Sequence, residues 1–275
     1  MANRGNLIQH WTFCQIVATL RTIYPEKALL QYVDAYAMAP GSDPDPSTMD
    51  KAFQRCMGRL PGENTHYEQA WQLLHGKNGG RYPSSAAFVR HLWGEAVTFC
   101  LCDNNRIVRA ELDRWLESQS PGREYHPPRA HGDWRQVPRL PCTLLGDLCL
   151  MQFDPNVINV GDAPRYPTST TLYASEIAAL ADQIGESKEH VVLQLNSYPG
   201  QNVPNLGDVA TSIGKTLLKS GFDPVSAIPD SDLKTTAFAL VFAIGIDKQV
   251  LRDLSNATRT AEFEFWYSRA TASPE

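Results

Sequence analysis

The sequence predicts a mainly α-helical protein, with two helical lobes joined by a Pro- and Arg-rich linker. Helical apolar patterns with capping signals fill the first 120 residues, whereas residues 121–141 lose this periodicity and gain prolines. A chain of 275 residues that is 43% hydrophobic can bury a large core. We therefore expect a helical lobe at 1–120, a basic linker or arm at 121–141, and an acidic, mainly helical lobe at 142–275.

A proline and several capping residues predict where the helices of the first lobe begin. Pro25 suits the first position of a helix whose apolar face includes Tyr32 and Val33. Thr65 and Glu68 form a capping-box pattern, and Ser84 precedes a longer helix that we expect to reach Cys102. Further helices are predicted at 7–20, 48–58, 66–75 and roughly 104–117.

Two apolar runs, 191–195 and 237–246, allow two interpretations of the second lobe. In one, both runs belong to helices; in the other, they are buried strands, which gives a helical N-terminal lobe followed by an α/β lobe. Ser187 stands as an N-cap before polar residues, and residues 244–248 echo residues 184–188. These two details favour the helical interpretation.

Bulk properties limit the function classes. The net charge of -5 argues against a surface that coats polyanions, although residues 121–141 carry 4 Lys and Arg against 2 Asp and Glu. The acidity lies in residues 142–275, with 9 basic and 16 acidic residues. The N-terminus lacks the pattern of a secretory signal, and the longest apolar run is about half a membrane span. We expect a cytoplasmic protein that does not contact membranes.

No short motif indicates an enzyme, a metal or a cofactor. The six cysteines are too sparse for a disulfide scaffold and lack zinc-ligand spacing, so we expect them to be reduced and mostly buried. A phosphate-binding loop is not formed around Lys215, because Val209 stands where that loop needs glycine. We therefore predict no catalytic residue, no metal ligand and no cofactor.

Residues 176–196 are predicted to form a helix-turn-helix-like corner. Ala181, Gly185 and Val191 have the spacing that lets two helices cross closely around a left-handed turn. The segment resembles the helix-turn-helix of DNA-binding proteins, and the resemblance implies a second helix that enters the major groove. An ordinary corner between two core helices is the alternative. The side chains offered to nucleic acid would be Lys188, His190 and Gln194.

The linker is the second predicted nucleic-acid contact. Cations alternate there with aromatic side chains, a composition that neutralises phosphates while rings stack on bases. The alternative is an arm that docks on the acidic lobe of its own or a neighbouring subunit. The predicted contact residues are Arg123, Arg129, Trp134, Arg135 and Arg139.

Three functions follow from these features. The first is a non-enzymatic, nucleic-acid-associated assembly subunit, such as a coat, nucleoprotein or effector-complex component. Its partners would be RNA or DNA and further copies of itself or a larger complex. The second is a protein–protein adaptor without nucleic-acid affinity. The third is an α/β enzyme whose site no short motif reveals.

Overall fold

A computed structural model describes the chain in several stretches, and the account below is confined to them. They are residues 4–35, 37, 39–42, 65–77, 81–103, 105–119, 130, 132, 147–153, 158–159, 172–173, 176, 179, 183, 190–197, 214–225, 238–259, 261–263, 265 and 268. The helices are α1 (Arg4–Ile23), α2 (His66–Lys77), α3 (Ser85–Trp93), α4 (Arg106–Gln119) and α5 (Lys248–Ala257), with another short one at 214–219. The strands are β1 (Leu30–Asp34), β2 (Gly41–Ser42), β3 (Tyr82–Pro83), β4 (Val97–Leu101), β5 (Leu148–Phe153), β6 (Ile158–Asn159), β7 (Leu172–Tyr173), β8 (Val191–Ser197), β9 (Asp223–Pro224) and β10 (Phe238–Ile244).

A six-stranded mixed sheet organises the molecule, in the order β4-β1-β5-β8-β10-β9. The prediction of a mainly α-helical protein with two helical lobes is therefore wrong, and the fold is α/β. The alternative with a wholly helical N-terminal lobe is also wrong, because β1 and β4 belong to this sheet. Strands from both sides of residues 121–141 pair directly, since β1 is hydrogen-bonded to β5.

Strand direction divides the sheet into two parts. The four strands β4, β1, β5 and β8 run parallel to one another. In contrast, β10 is antiparallel to β8 on one side and to β9 on the other. The reversed strand β10 therefore lies between β8 and the short edge strand β9, and these two neighbours run in the same direction.

The helix predicted from Pro25 is wrong, because residues 30–34 form β1, and the complete burial of this strand explains the difference. All of its residues are buried, so the strand lacks the apolar–polar alternation that marks a strand with one solvated face. The helix expected to reach Cys102 was wrong for a related reason. It ends at Trp93, where Gly94 adopts a φ of 90°, and the apolar residues that follow form β4.

The two runs in the second half are also strands, β8 and β10, so the helix-turn-helix-like corner is wrong. Val191 begins β8 and does not pack within a second helix. Gly245 does form a turn, with φ of 71°, but the turn joins β10 to α5. Asp247 caps α5 through its carboxylate, which accepts a hydrogen bond from the Gln249 amide at 2.7 Å.

Several helix predictions are confirmed. The Thr65 amide donates to Glu68 Oε2 at 2.8 Å, and the Glu68 amide donates to Thr65 Oγ1 at 3.3 Å, which is a capping box at the start of α2. The Ser84 hydroxyl accepts from the Ala87 amide and caps α3.

Cys14, Cys100, Cys102 and Cys149 are reduced and buried, as expected.

Helix α1 covers one face of the sheet and connects it to the other helices. It packs against α2, α3, α5 and β10. Its buried aromatic side chains reach in different directions: the Phe13 ring lies 5.4 Å from Tyr32 of β1, and Trp11 lies 5.7 Å from Phe263. None of the helices in the described stretches is long and apolar enough to cross a membrane.

A buried polar cluster fixes the small antiparallel pair of β2 and β3 against α1. The two nitrogens of His10 lie 3.1 Å from the Tyr82 hydroxyl and 3.1 Å from Ser85 Oγ. The Tyr82 hydroxyl also lies 2.5 Å from that of Tyr67. Since β3 pairs with Gly41–Ser42, this cluster helps to position the segment that follows β1.

Burial lowers the pKa of His10 from 6.5 to about 4. The unfolded chain therefore binds more protons than the folded chain between these values, and stability falls as the pH drops through that window. We expect His10→Gln to remove about 2 to 3 kcal/mol of the stability loss between pH 7 and pH 4.5. Urea unfolding of both proteins at the two pH values measures this difference. Equal pH dependence in the two proteins would show that His10 does not titrate on unfolding.

Replacement of Gln194 tests its placement in the buried strand. Its side-chain amide donates to the Gln9 carbonyl at 3.0 Å and to Asn196 Oδ1 at 2.7 Å, and the residue is fully buried. We expect Gln194→Ala to lower the free energy of unfolding by about 2 to 4 kcal/mol, since it leaves two buried acceptors and a cavity. Gln249→Ala on the exposed face of α5 is the control, with an expected change within about 0.5 kcal/mol. Equally small effects would place Gln194 at the surface.

Candidate functional site

The connections of the central strands create a topological switch point at the carboxyl ends of the parallel strands. After β1 the chain enters β4 on one side, and it later returns to β5 on the other side of β1. The strand order thus reverses at β1. In open α/β sheets, ligands bind outside the carboxyl ends of the strands at such a switch point. The candidate site is therefore the end of the sheet at which β1, β4 and β5 have their carboxyl ends.

Polar side chains are buried where β1 and β5 end. The parallel register places Asp34 opposite Gln152, and both residues are buried. The Tyr32 hydroxyl lies 2.7 Å from Asp34 Oδ2 and 2.8 Å from Gln152 Oε1, so it bridges the two strands. Because the hydroxyl has one proton, it donates to one of these acceptors at a time.

The backbone after β1 remains anchored to both neighbouring strands. The Ala35 amide donates to the Gln152 carbonyl at 3.0 Å, whereas the Ala37 amide donates to the Cys102 carbonyl at 2.7 Å. The Cys102 amide in turn donates to the Asp34 carbonyl at 2.8 Å. These bonds hold the start of the segment after β1 directly beside the residue that follows Cys102.

That residue is Asp103, an acidic side chain just beyond the end of β4. Its exposed fraction is only 5%. Oδ1 accepts a hydrogen bond from the Asn105 amide at 2.6 Å, and the Asp103 carbonyl accepts one from Arg109 Nη1 at 2.8 Å. Among the described residues, no hydrogen-bond partner is present for the second carboxylate oxygen, Oδ2.

The surroundings of Asp103 also shift its protonation. Burial raises the pKa of its carboxyl above the ordinary value of 3.8, and this is the largest effect. The hydrogen bond from the Asn105 amide and the charge of Arg109 act in the opposite direction and lower the pKa. Asp103 is thus a hydrogen-bond acceptor whose buried position destabilises its charged form. Carboxyl groups with a pKa shifted in this way are common at functional sites.

A second pair of buried polar groups lies at the carboxyl end of β8. Gln194 and Asn196 share one face of the strand, and both are fully buried. Gln194 Oε1 and Asn196 Nδ2 have no hydrogen-bond partner in the part of the chain that the structure describes. Strand β8, the neighbour of β5 in the sheet, therefore carries one buried acceptor and one buried donor without partners among the described residues.

Of the residues predicted to contact nucleic acid, the structure describes Gln194 and His190. Gln194 is inside the sheet and cannot read a base edge. His190 lies at the amino end of β8, where its Nδ1 is 2.9 Å from the Tyr24 hydroxyl and its carbonyl accepts from the Cys149 amide. Six predicted contacts lie outside the described residues and stay predictions: Arg123, Arg129, Trp134, Arg135, Arg139 and Lys188.

The sequence reasoning missed Asp34 and Asp103. A usable signal was present, because each acidic residue directly follows a short apolar run, Leu30–Val33 or Val97–Cys102. Assigning these runs to helices removed the expectation that the two residues end neighbouring strands. In the described stretches, no group of three His, Cys, Asp or Glu side chains is arranged to hold a metal ion.

Comparison with known proteins supports the fold. No protein-family model matches the sequence, and no curated protein sequence matches it either. The structure is similar to the crystal structure of protein LPL1258 from Legionella pneumophila, of the family model DUF519. The TM-score is 0.56 at 12% identity, over 98% of this chain and 93% of that one. A candidate methyltransferase from Thermoplasma acidophilum gives a TM-score of 0.32 at 7% identity, over 80% of this chain and 69% of that one.

The fold and the site together define a class. The protein is an α/β protein whose strand order reverses at β1 and which has a buried acidic residue after β4. The expected all-helical character is wrong. In the described part of the chain, no observation supports the predicted nucleic-acid-associated assembly subunit or its oligomer. The architecture agrees instead with the third expected function, the α/β enzyme.

Proposed function

We propose that the protein is an α/β enzyme that binds a nucleoside-containing cofactor at the carboxyl ends of β1, β4 and β5. The observation that carries this proposal is Asp103, a buried carboxylate with one oxygen lacking a partner among the described residues. In nucleotide-binding sheets of this class, an acidic residue beyond the second strand accepts hydrogen bonds from ribose hydroxyls. Strand β4 is the second long strand along the chain and the neighbour of β1.

The position of Asp103 agrees with that role. The bond between the Ala37 amide and the Cys102 carbonyl brings the segment after β1 next to Asp103. A nucleoside across the switch point would meet the backbone after β1 and the carboxylate after β4 together. The Asn105 amide holds Oδ1, so Oδ2 is the oxygen available to a hydroxyl.

The sheet order favours S-adenosylmethionine over a nicotinamide dinucleotide. Dinucleotide-binding sheets are built from two parallel halves. Here β10 is reversed and lies between β8 and β9. The reversed strand breaks that pattern of two parallel halves, so the sheet suits a cofactor with one nucleoside, such as S-adenosylmethionine, better than a dinucleotide. We therefore infer transfer of a methyl group as the reaction class.

Titration with S-adenosylmethionine tests the proposal. The best variant is Asp103→Asn, because the amide oxygen can still accept from the Asn105 amide while an NH2 group replaces Oδ2. We expect the wild type to bind and the variant to bind about 10- to 100-fold more weakly, as for the loss of a charge-assisted hydrogen bond. Isothermal titration calorimetry gives both dissociation constants.

The matched control is Asp253→Asn, at a half-buried position of α5 remote in sequence from β1 and β4, where Asp253 accepts from Gln249 Nε2 at 3.0 Å. This variant should bind like the wild type. NAD and ATP, titrated in parallel, identify a different nucleoside cofactor. If none of the three compounds binds the wild-type protein, the proposed function is wrong.

Cofactor affinity should also depend on pH. Because burial raises the pKa of Asp103, the carboxylate becomes protonated at a higher pH than an ordinary aspartate does. Affinity should therefore fall as the pH decreases, and the fall should begin above the range expected for a carboxyl of pKa 3.8. Dissociation constants measured from pH 8 down to pH 5 test this. A flat profile that matches the profile of Asp103→Asn would contradict the assigned role.

A further inference from the structure

A cavity of about 280 Å³ lies between the paired strands β2 and β3 and helix α4. Glu111, which contributes to its wall, lies roughly 8 Å along the helix axis from the first residue of α4. Asp103, beside which the ribose is proposed to lie, is not part of its lining. Its lining consists of Pro40, Gly41, Arg81, Glu111, Arg114 and Trp115.

The charged groups of α4 in this cavity are not paired with each other. Glu111 and Arg114 are three residues apart in the helix, a spacing that permits an ion pair. In the described part of the chain, however, the Glu111 carboxylate has no polar partner, and Arg114 donates only Nε, to the Ala110 carbonyl at 3.1 Å. Both Nη groups of Arg114 and both oxygens of Glu111 are therefore available to a ligand.

Trp115 gives the cavity an aromatic wall. Its indole is held edge-on against Phe99 of β4, with ring centroids 5.3 Å apart and an interplanar angle of 76°. Phe99 in turn contacts Tyr32 of β1, so the sheet fixes the orientation of the indole. An aromatic wall in a fixed orientation, with an arginine beside it, suits a flat ligand that carries negative charge.

We propose that this cavity binds a single-ring, planar ligand that carries both an anionic group and an N–H or O–H donor. The anion pairs with Arg114, the donor binds the Glu111 carboxylate, and the ring stacks on Trp115. The volume is slightly below the lower end of typical ligand pockets, roughly 300 Å³, which favours one ring over a whole nucleotide. This inference goes beyond the proposed cofactor site and does not depend on the cofactor's identity.

The test uses three small probes and calorimetric or ligand-observed NMR titration in the absence of cofactor. 4-Aminobenzoate carries the ring, the anion and the donor; benzoate lacks the donor; and aniline lacks the anion. We expect 4-aminobenzoate to bind at least threefold more tightly than benzoate, and aniline to show no saturable binding. If 4-aminobenzoate does not bind, or if aniline binds equally well, the proposal is wrong.

Variants locate the binding in this cavity. Arg114→Gln should weaken 4-aminobenzoate and benzoate alike, by about fivefold, because it removes the charge that both probes use. Glu111→Leu should remove the preference for 4-aminobenzoate over benzoate, because leucine has no hydrogen-bond acceptor. Arg252→Gln, at an exposed position of α5, is the matched control and should leave both affinities unchanged. Unchanged affinities in the Arg114 and Glu111 variants would place the probes elsewhere and overturn the proposal.

The result is independent of the proposed function. Asp103→Asn should leave probe affinity unchanged, since Asp103 is not part of the cavity lining. Failure of S-adenosylmethionine to bind would therefore contradict the cofactor assignment alone. Failure of the probes would contradict the cavity assignment alone.

Discussion

The parallel pairing of β1 with β4 on one side and with β5 on the other is the constraint on which the structure depends. The register aligns Asp34 with both Leu101 and Gln152, so three strands end at one level of the sheet. Asp34, Gln152 and Asp103 lie at or just beyond these strand ends, so the shared end collects buried polar groups in an otherwise apolar sheet. A shift of β1 by one residue would turn its side chains to the opposite face.

Burial of polar groups at that edge costs free energy, and the hydrogen bonds offset part of this cost. Tyr32 bridges Asp34 and Gln152, and the Gln194 amide spans α1 and β8. Nevertheless, Gln194 Oε1 and Asn196 Nδ2 lack partners within the described stretches. A fold that keeps such groups without partners is consistent with a ligand or ordered water that satisfies them.

Local signals in the sequence predicted the helices better than the sheet. The capping box at Thr65 and the N-cap at Ser84 depend on neighbouring residues, and both were correct. The strands were missed because β1 is buried throughout, which removes alternation. The N-cap signal at Ser187 favoured a helix for residues 191–195, but this run forms β8. Asp103 could be recognised as a site residue only once β4 was known to end just before it.

The central claim is that the switch point at β1 binds a nucleoside cofactor. Hydrogen–deuterium exchange with and without S-adenosylmethionine tests it most directly, since it reports where the backbone becomes protected. The account predicts slower exchange at Ala35 and Ala37 and in the backbone around Asp103, with little change along α5. Protection confined to α5, or no protection at any site under saturating cofactor, would contradict the account.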